Sequence, residues 1–319
     1  AYMFVVLTML NSLDELEGAA MSVLAPEIRD TFGISEGAIT FITGASLAFF
    51  VLGAVPMGWL ADRVKRAPIV GFSSLFFGFF VVLSGLAVSA FMLFWTRFFT
   101  GIAKANTIPV HGSLIADNYP IGVRARMSAL NNQIGHGFGL ASPVLAGGIA
   151  VAVGGSEGWR WAFLLLGLPV TIVAVAAFFI REPPRGQYEK DDVLHEVFTE
   201  ENPAPISMEA AFARIKRIRT IRNVVTAFSA LGFALFTIPV LTSQYLDDTL
   251  GVDDPLDRGI VLSLIGVAAL PFFPFVGRYF DRTYRVDPPK ALVIIGMCIL
   301  PSALLTPLQF SVDNVALFV

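Results

Sequence analysis

Cysteine is nearly absent: the 319 residues hold only Cys298, set in an apolar run, which excludes an intrachain disulfide and leaves the redox compartment unread. Charge is scarce as well. Asp, Glu, Lys and Arg make up 15% of the chain, against about 25% in an average soluble domain. The net charge of −3 is too small to point to a nucleic acid as partner. There is no phosphate loop, no metal-ligand spacing and no nucleophile elbow, so the chain reads as a non-enzyme that needs no cofactor. No signal peptide is visible. The chain opens without a Met inside one hydrophobic run and stops as another begins, as a fragment trimmed at both ends would.

What is abundant is apolar surface. Hydrophobic residues reach 55%, Phe alone numbers 29, and the mean hydropathy is +0.71. Runs of about 18 to 25 such residues are long enough to cross a hydrocarbon core as helix. They fall at Tyr2 to Ala25, Ile39 to Met57, Pro68 to Val88, Phe91 to Ala116, Met127 to Val153, Trp161 to Ile180, Val224 to Leu246, Gly259 to Val276 and Pro289 to Pro307. The runs are continuous rather than alternating, which excludes barrel strands. An all-α, multi-pass membrane protein is predicted.

If the spans alternate in direction, seventeen of the 22 Lys and Arg collect on one side, Arg29, Arg160 and Arg258 alone on the other, and Arg97 and Lys104 lie within the fourth span. The basic side is then cytoplasmic, and the first span ends outside. The long interruption from Arg181 to Asn223 begins charged and proline-containing. It ends in SMEAAFARIKRIRTIRN, with a capping-type Ser207 and apolar residues at helical spacing. That pattern predicts either a basic amphipathic helix on anionic lipid or a plain linker helix. The expected organisation is an amino-terminal six-helix bundle at 1–180, a cytoplasmic loop with an amphipathic helix at 181–223, and an incomplete carboxyl-terminal bundle at 224–319.

GWLADRVKR after the second span and GRYFDR after the eighth both match G-x-x-x-D-R, as parallel six-helix repeats would. Gly58, Asp62, Arg63 and Arg66, with Gly277, Asp281 and Arg282 as a weaker copy and Arg97 and Gly101 on the fourth span, resemble the major facilitator superfamily. SVLAPEI, GWRWAFLLLGLP and REPPRG look like its bacterial spinster-like members. The resemblance implies two six-helix bundles, of which about nine to ten of twelve helices are present, in a bacterial plasma (inner) membrane. It also implies a cytoplasmic gate at Gly58, Asp62, Arg63, Arg66, Asp281 and Arg282. Spinster-like members usually carry an Asp-Arg pair on the first helix; here the matching residues are Asp14 and Glu15. The fifth span, GHGFGLASPVLAGG, resembles the glycine-rich signature of proton antiporters, while small residues for close helix packing explain it equally well.

Charges inside the bilayer survive by facing protein or water and finding a partner. Asp14, Glu15 and Glu17 sit on the first span. On the fourth, Arg97, Lys104 and His111 recur every seven residues, two turns apart on one face of a regular helix. Counting about 1.5 Å per residue from the outer ends puts Asp14 about 18 Å deep and Lys104 about 20 Å, Glu17 about 13 Å and Arg97 about 9 Å. Three acids therefore face two bases, and a surplus carboxylate in a poorly solvated cavity can bind and release a proton near neutral pH. Asp14, Glu17, Arg97 and Lys104 are the expected proton-coupling set. Structural ion pairing is the bland alternative.

Glu15, His136, Asn132, Gln133, Gln244 and Phe236 are the expected cavity lining, charged on one side and aromatic on the other, which suits an amphipathic substrate. The function expected is a proton-coupled secondary active transporter of an amphipathic or lipid-like small molecule, whose partners are that substrate, protons and membrane lipids. A drug/proton antiporter, or a non-transporting membrane scaffold or sensor within a larger complex, are the alternatives.

Overall fold

The computed structural model describes residues 2–155, 157–186, 188, 207–268, 270–272, 279, 282–283, 286–287, 290, 293, 297, 304–312 and 315. Among these every regular element is a helix. The helices are α1 (Tyr2–Val23), α2 (Ala25–Phe32), α3 (Glu36–Ala61), α4 (Arg66–Gly85), α5 (Ala90–Lys104), α6 (Gly112–Asn118), α7 (Ile121–Val153), α8 (Gly158–Ala177), α9 (Met208–Arg217), α10 (Arg219–Asp248) and α11 (Pro255–Ala268). By length and composition, α3, α4, α7 and α8 can cross a membrane, with mean hydropathies of 1.5 to 2.1 over their most apolar windows.

Two serines set helix starts: Ser35 Oγ accepts from Ala38 N and Ser89 Oγ from Met92 N, each at 3.2 Å, so α3 and α5 begin with a donor satisfied. The first span divides where Pro26, tolerated in a first turn, opens α2. Gly33 closes α2 in the left-handed region at φ 59°. The fourth span also divides. Pro109 lacks an amide hydrogen and crowds the preceding turn, and the chain passes from α5 through a π turn at Thr107–His111 into α6. The regular seven-residue register expected to align His111 with Arg97 and Lys104 therefore does not carry through.

α9 forms with Ser207 Oγ accepting from Ala210 N at 3.2 Å, and Phe212, Arg214, Lys216 and Arg217 are exposed. α10 begins at Arg219, five residues before the expected start. Most of the ninth expected span lies outside the described residues.

α1 is central. It packs against α7 and α8 and touches α10 and α11; α3 lies on α5, α4 on α5 and α8, and α11 on α7. Its apolar residues join two separate cores. Leu16, Ala20 and Met21 meet Phe77, Leu93, Trp159 and Phe163, while Met3, Val6, Leu7 and Leu10 meet Ile69, Val70, Leu114 and Ile180. Between these layers α1 buries Asn11, Asp14 and Glu17. The outward faces carry exposed Phe41, Phe72, Phe76 and Ile172, a surface that lipid tails solvate.

Candidate functional site

Asp14 and Glu17 are three residues apart, close to one turn, and both point from α1 toward α5. Lys104 Nζ lies 2.7 Å from Asp14 Oδ1. The contact is a close ion pair between α1 and α5. Arg97 is held more completely. Its Nη1 donates to Glu17 Oε1, its Nη2 and Nε donate to Ser84 Oγ at 2.6 and 3.2 Å, and its guanidinium lies 5.0 Å from the centre of the Phe163 ring. One side chain thus ties α5 to α1, α4 and α8. Arg97 and Glu17 are each 3% exposed.

Beside these pairs is a cavity of ≈40 Å³, lined by Glu17, Gly18, Thr43, Phe50, Arg97 and Lys104 among others. That is room for water beside Glu17, Arg97 and Lys104. Gly101 explains how α5 comes so near α3, because a Cβ there would strike the Ser46 carbonyl.

Glu15 points away from this layer, toward α7, with Oε1 3.8 Å from His136 Nδ1. Around them Thr8 Oγ1 donates to Asn131 Oδ1 at 3.0 Å and Asn11 Nδ2 to the Asn131 carbonyl at 3.3 Å. Asn132, Gln133 and His136 are exposed. Lipid tails would not solvate such groups at membrane depth. Gln244 is buried, and neither amide atom has a partner among the described residues. His111 is likewise buried in the π turn with both ring nitrogens unpartnered among the described residues. The Phe236 side chain lies outside the described residues.

At the basic end Arg66 is buried and bridges Asp117 at 2.5 Å and Glu182 at 2.8 Å, joining α4 to α6 and to the segment after α8. Asp62 caps α3 with its side chain exposed, and its carbonyl accepts from Arg185. Arg63 lies over Trp59 at 4.0 Å and donates to the Trp59 carbonyl. Gly58 faces Pro109 of the π turn, where a Cβ would sit 3.5 Å from Pro109 Cβ. These contacts lie within residues 58–186. Arg282 is exposed, and Gly277 and Asp281 lie outside the described residues.

At the opposite, Arg-poor end the structure brings together residues that sequence reasoning used only for charge counting. Arg258, with 0% exposure, donates through Nη2 to Glu27 Oε1 of α2 and through Nη1 to Asp247 Oδ1 of α10 at 2.6 Å. It also reaches the carbonyls of Val252 and Asp253 at 3.0 and 3.1 Å. Arg29 of α2 pairs with Asp248 at 2.6 Å and Asp247 at 3.5 Å. Burial pushes the carboxyls of Glu27 and Asp247 above their ordinary range, with Arg258 pulling the other way. The third outer base, Arg160, pairs with Glu157, donates to the carbonyls of Gly85 and Ala87, and lies over Trp159 at 4.4 Å. A signal for α2 was present in Pro26 with an acid in its first turn and a base in its last.

Among the described residues no cluster of three His, Cys, Asp or Glu is placed to hold a metal.

Comparison with known proteins agrees with this architecture. The probable galactarate/D-glucarate transporter GudP of Bacillus subtilis is 24% identical over 75% of this chain and 54% of its own length. Protein spinster homolog 1 of Bos taurus is 24% identical over 90% of this chain and 56% of its own. The chain spans about half the length of such curated relatives. A crystal structure of a bacterial homolog to the human lysosomal transporter Spinster, inward-facing and unoccupied, shares the fold with a TM-score of 0.72 at 22% identity, over 90% of this chain and 63% of that one. The family model described as Major Facilitator Superfamily matches residues 5–319, and the chain belongs to that superfamily.

Proposed function

We propose that the protein is a proton-coupled secondary active carrier that moves an amphipathic small organic molecule by alternating access, with Asp14 as the principal proton site and Glu17 as its buried neighbour. The observation that carries the reading is the difference between the two buried ion pairs: Glu17 meets Arg97, which Ser84 and the Phe163 ring also hold, while Asp14 meets Lys104, which lines a water-sized cavity. Glu17 is locked by an arginine that has other anchors, so the Asp14–Lys104 pair is the one that can open at low cost. Protonation of Asp14 would release the Lys104 ammonium to the cavity, where an anionic or polar substrate group can meet it, and the proton and substrate would then share one charge balance. Relatives named as transporters of galactarate/D-glucarate and 4-hydroxybenzoate carry organic acids, which supports a substrate with an acidic head. The exposed polar face of α7 supplies the remaining polar lining. In the same scheme Gly58, Asp62, Arg63, Arg66, Asp281 and Arg282 act at the basic end when that end closes.

The test is flux in proteoliposomes with and without an imposed pH gradient, using 4-hydroxybenzoate and galactarate as first probes. Asp14→Asn is expected to lose pH-driven accumulation while retaining exchange of labelled for unlabelled substrate. Equal pH-driven accumulation in wild type and Asp14→Asn refutes the assignment. Absence of exchange for every probe across a broad substrate panel favours the scaffold or sensor reading.

A further inference from the structure

We propose that Arg258 is a gating residue: it holds the Arg-poor end closed by neutralising the carboxylates that closure gathers from α2 and from α10. The inference deepens the alternating-access reading and rests on it for its purpose, although the closure itself is a matter of geometry.

Three observations converge. First, Arg258 has no exposed surface, and its two Nη groups are met from both sides of the contact, Nη2 by Glu27 of α2 and Nη1 by Asp247 and two carbonyls beside α10, while Nε has no partner among the described residues. A guanidinium this desolvated is satisfied only while α2 and α10 remain together. Second, the charges do not balance. Glu27, Asp30, Asp247 and Asp248 meet only Arg29 and Arg258, so removing Arg258 leaves four carboxylates on one arginine, and repulsion favours separation. Third, the backbones beside the cluster touch. A Cβ on Gly147 of α7 would strike the Pro255 carbonyl and one on Gly259 of α11 would strike the Pro143 carbonyl, while Ser243 Oγ of α10 donates to the Val23 carbonyl at 3.1 Å. The seam is therefore shut, and Arg258 sits one residue from its closest approach.

The proton dependence follows in sign from the same surplus of acid. The charged groups in the cluster are Glu27, Arg29 and Asp30 from α2, Asp247 and Asp248 from α10 and Arg258 from α11, with exposed Asp253, Asp254 and Asp257 beside them in the chain. Because the closed arrangement raises the carboxyls of Glu27 and Asp247 above their ordinary range, closing takes up protons. Closure is then favoured as pH falls toward the ordinary carboxylate range and loses that contribution as pH rises through the raised values. Glu27→Gln imitates the protonated state and still accepts from Arg258, so it keeps the end closed.

The experiment reads conformation rather than flux, so a failed carrier assignment leaves it interpretable. Spin labels at Glu36→Cys and Thr249→Cys, both exposed positions at this end, in a Cys298→Ser background of the whole protein in nanodiscs, report the separation of α3 from α10 by pulsed electron resonance. Arg258→Gln is expected to lower the ratio of short to long distances by about tenfold or more, Glu27→Gln to leave it unchanged or raise it, and lowering pH from 7.5 to 5 to raise it in the labelled parent more than in Glu27→Gln. An unchanged distribution in Arg258→Gln overturns the proposal, as does opening by Glu27→Gln equal to that by Arg258→Gln. If Arg258→Gln does not fold, Arg258→Lys, which keeps the charge but lacks the fork that meets Glu27 and Asp247 together, takes its place: a lowered ratio of short to long distances supports the latch, and an unchanged distribution refutes it.

Discussion

The Arg97–Glu17 pair permits a quantitative test because its two members are not equally dependent on each other. Both are buried, but Arg97 retains Ser84 Oγ on two nitrogens and the Phe163 face when Glu17 is removed, whereas Glu17 loses its direct ion-pair partner when Arg97 is removed. Breaking a buried pair by deleting one member costs about 3 to 5 kcal/mol. Lys104, within electrostatic reach of Glu17, places Arg97→Met near the lower bound, about 3 kcal/mol. Glu17→Gln still accepts a hydrogen bond from the guanidinium, and its cost is about 1 kcal/mol. In Arg97→Met/Glu17→Leu no charge is stranded, and replacement by apolar groups of similar volume is close to neutral. Reversible unfolding in mixed micelles, followed by tryptophan fluorescence with Trp159 buried against Phe163 as reporter, supplies the cycle of Arg97→Met, Glu17→Leu and the double variant. A coupling of at least about 3 kcal/mol, more than about a hundredfold in the unfolding equilibrium, is expected. Additive single and double variants, or an Arg97→Met cost below about 1 kcal/mol, would refute the claim that the pair is a desolvated unit.

Two further predictions concern close backbone approach. Gly101→Leu forces α5 off the Ser46 carbonyl and is expected to cost about 1 to 3 kcal/mol in the same unfolding assay, with the Arg97–Glu17 coupling reduced because α5 carries Arg97. Gly259→Leu places a side chain against the Pro143 carbonyl; with the label pair at residues 36 and 249 it should populate the long distance even with Arg258 intact, and an unchanged distribution would show that the seam is not tight.

The pairing in the buried charge layer was legible because helix geometry turns sequence offsets into levels along a helix. Asp14 and Lys104 need only regular helices and known outer ends to come out level. The π turn could not be read from hydropathy, which stays high through Thr107–His111; Pro109 was the available sign, and it moved His111 out of the expected stripe. The glycine-rich run of α7 was open between an antiporter signature and close packing, and Gly147 against Pro255 accounts for that glycine by packing. The partners of Arg66 were illegible for another reason: Asp117 and Glu182 lie 51 and 116 residues away, joined only by tertiary assembly. Arg258 and Glu27 are separated by 231 residues. In the charge count Arg29, Arg160 and Arg258 were the few bases on the wrong side; folded, each is held by carboxylates, and Arg258 and Arg29 cross between helices distant in sequence. A charge that breaks a topological bias needs a local partner, and that reasoning would have flagged them.

The two charge clusters are mechanically adjacent although they differ in depth. α1 carries Asp14 and Glu17, ends at Val23 and continues through the fully buried Leu24 into α2, which carries Glu27 and Arg29. Ser243 of α10 donates to the Val23 carbonyl at the joint itself. Release of the latch in the proposed cycle therefore frees the end of the helix on which the proton site sits, and a change in the Asp14–Lys104 pair alters the rotation that α1 imposes on α2. Coupling between sites needs an element with two arrangements that both sites bias. In the proposed cycle the α1–α2 unit, two helices joined by the buried Leu24, is that element. Inserting a Gly pair at Leu24 would keep both clusters and cut the lever. Proton dependence at the outer labels should then follow Glu27 and Asp247 alone, and Asp14→Asn, which in the uninterrupted protein shifts the outer distance distribution, should no longer do so. A shift of equal size with the joint loosened would place the coupling elsewhere, through α5 or α7.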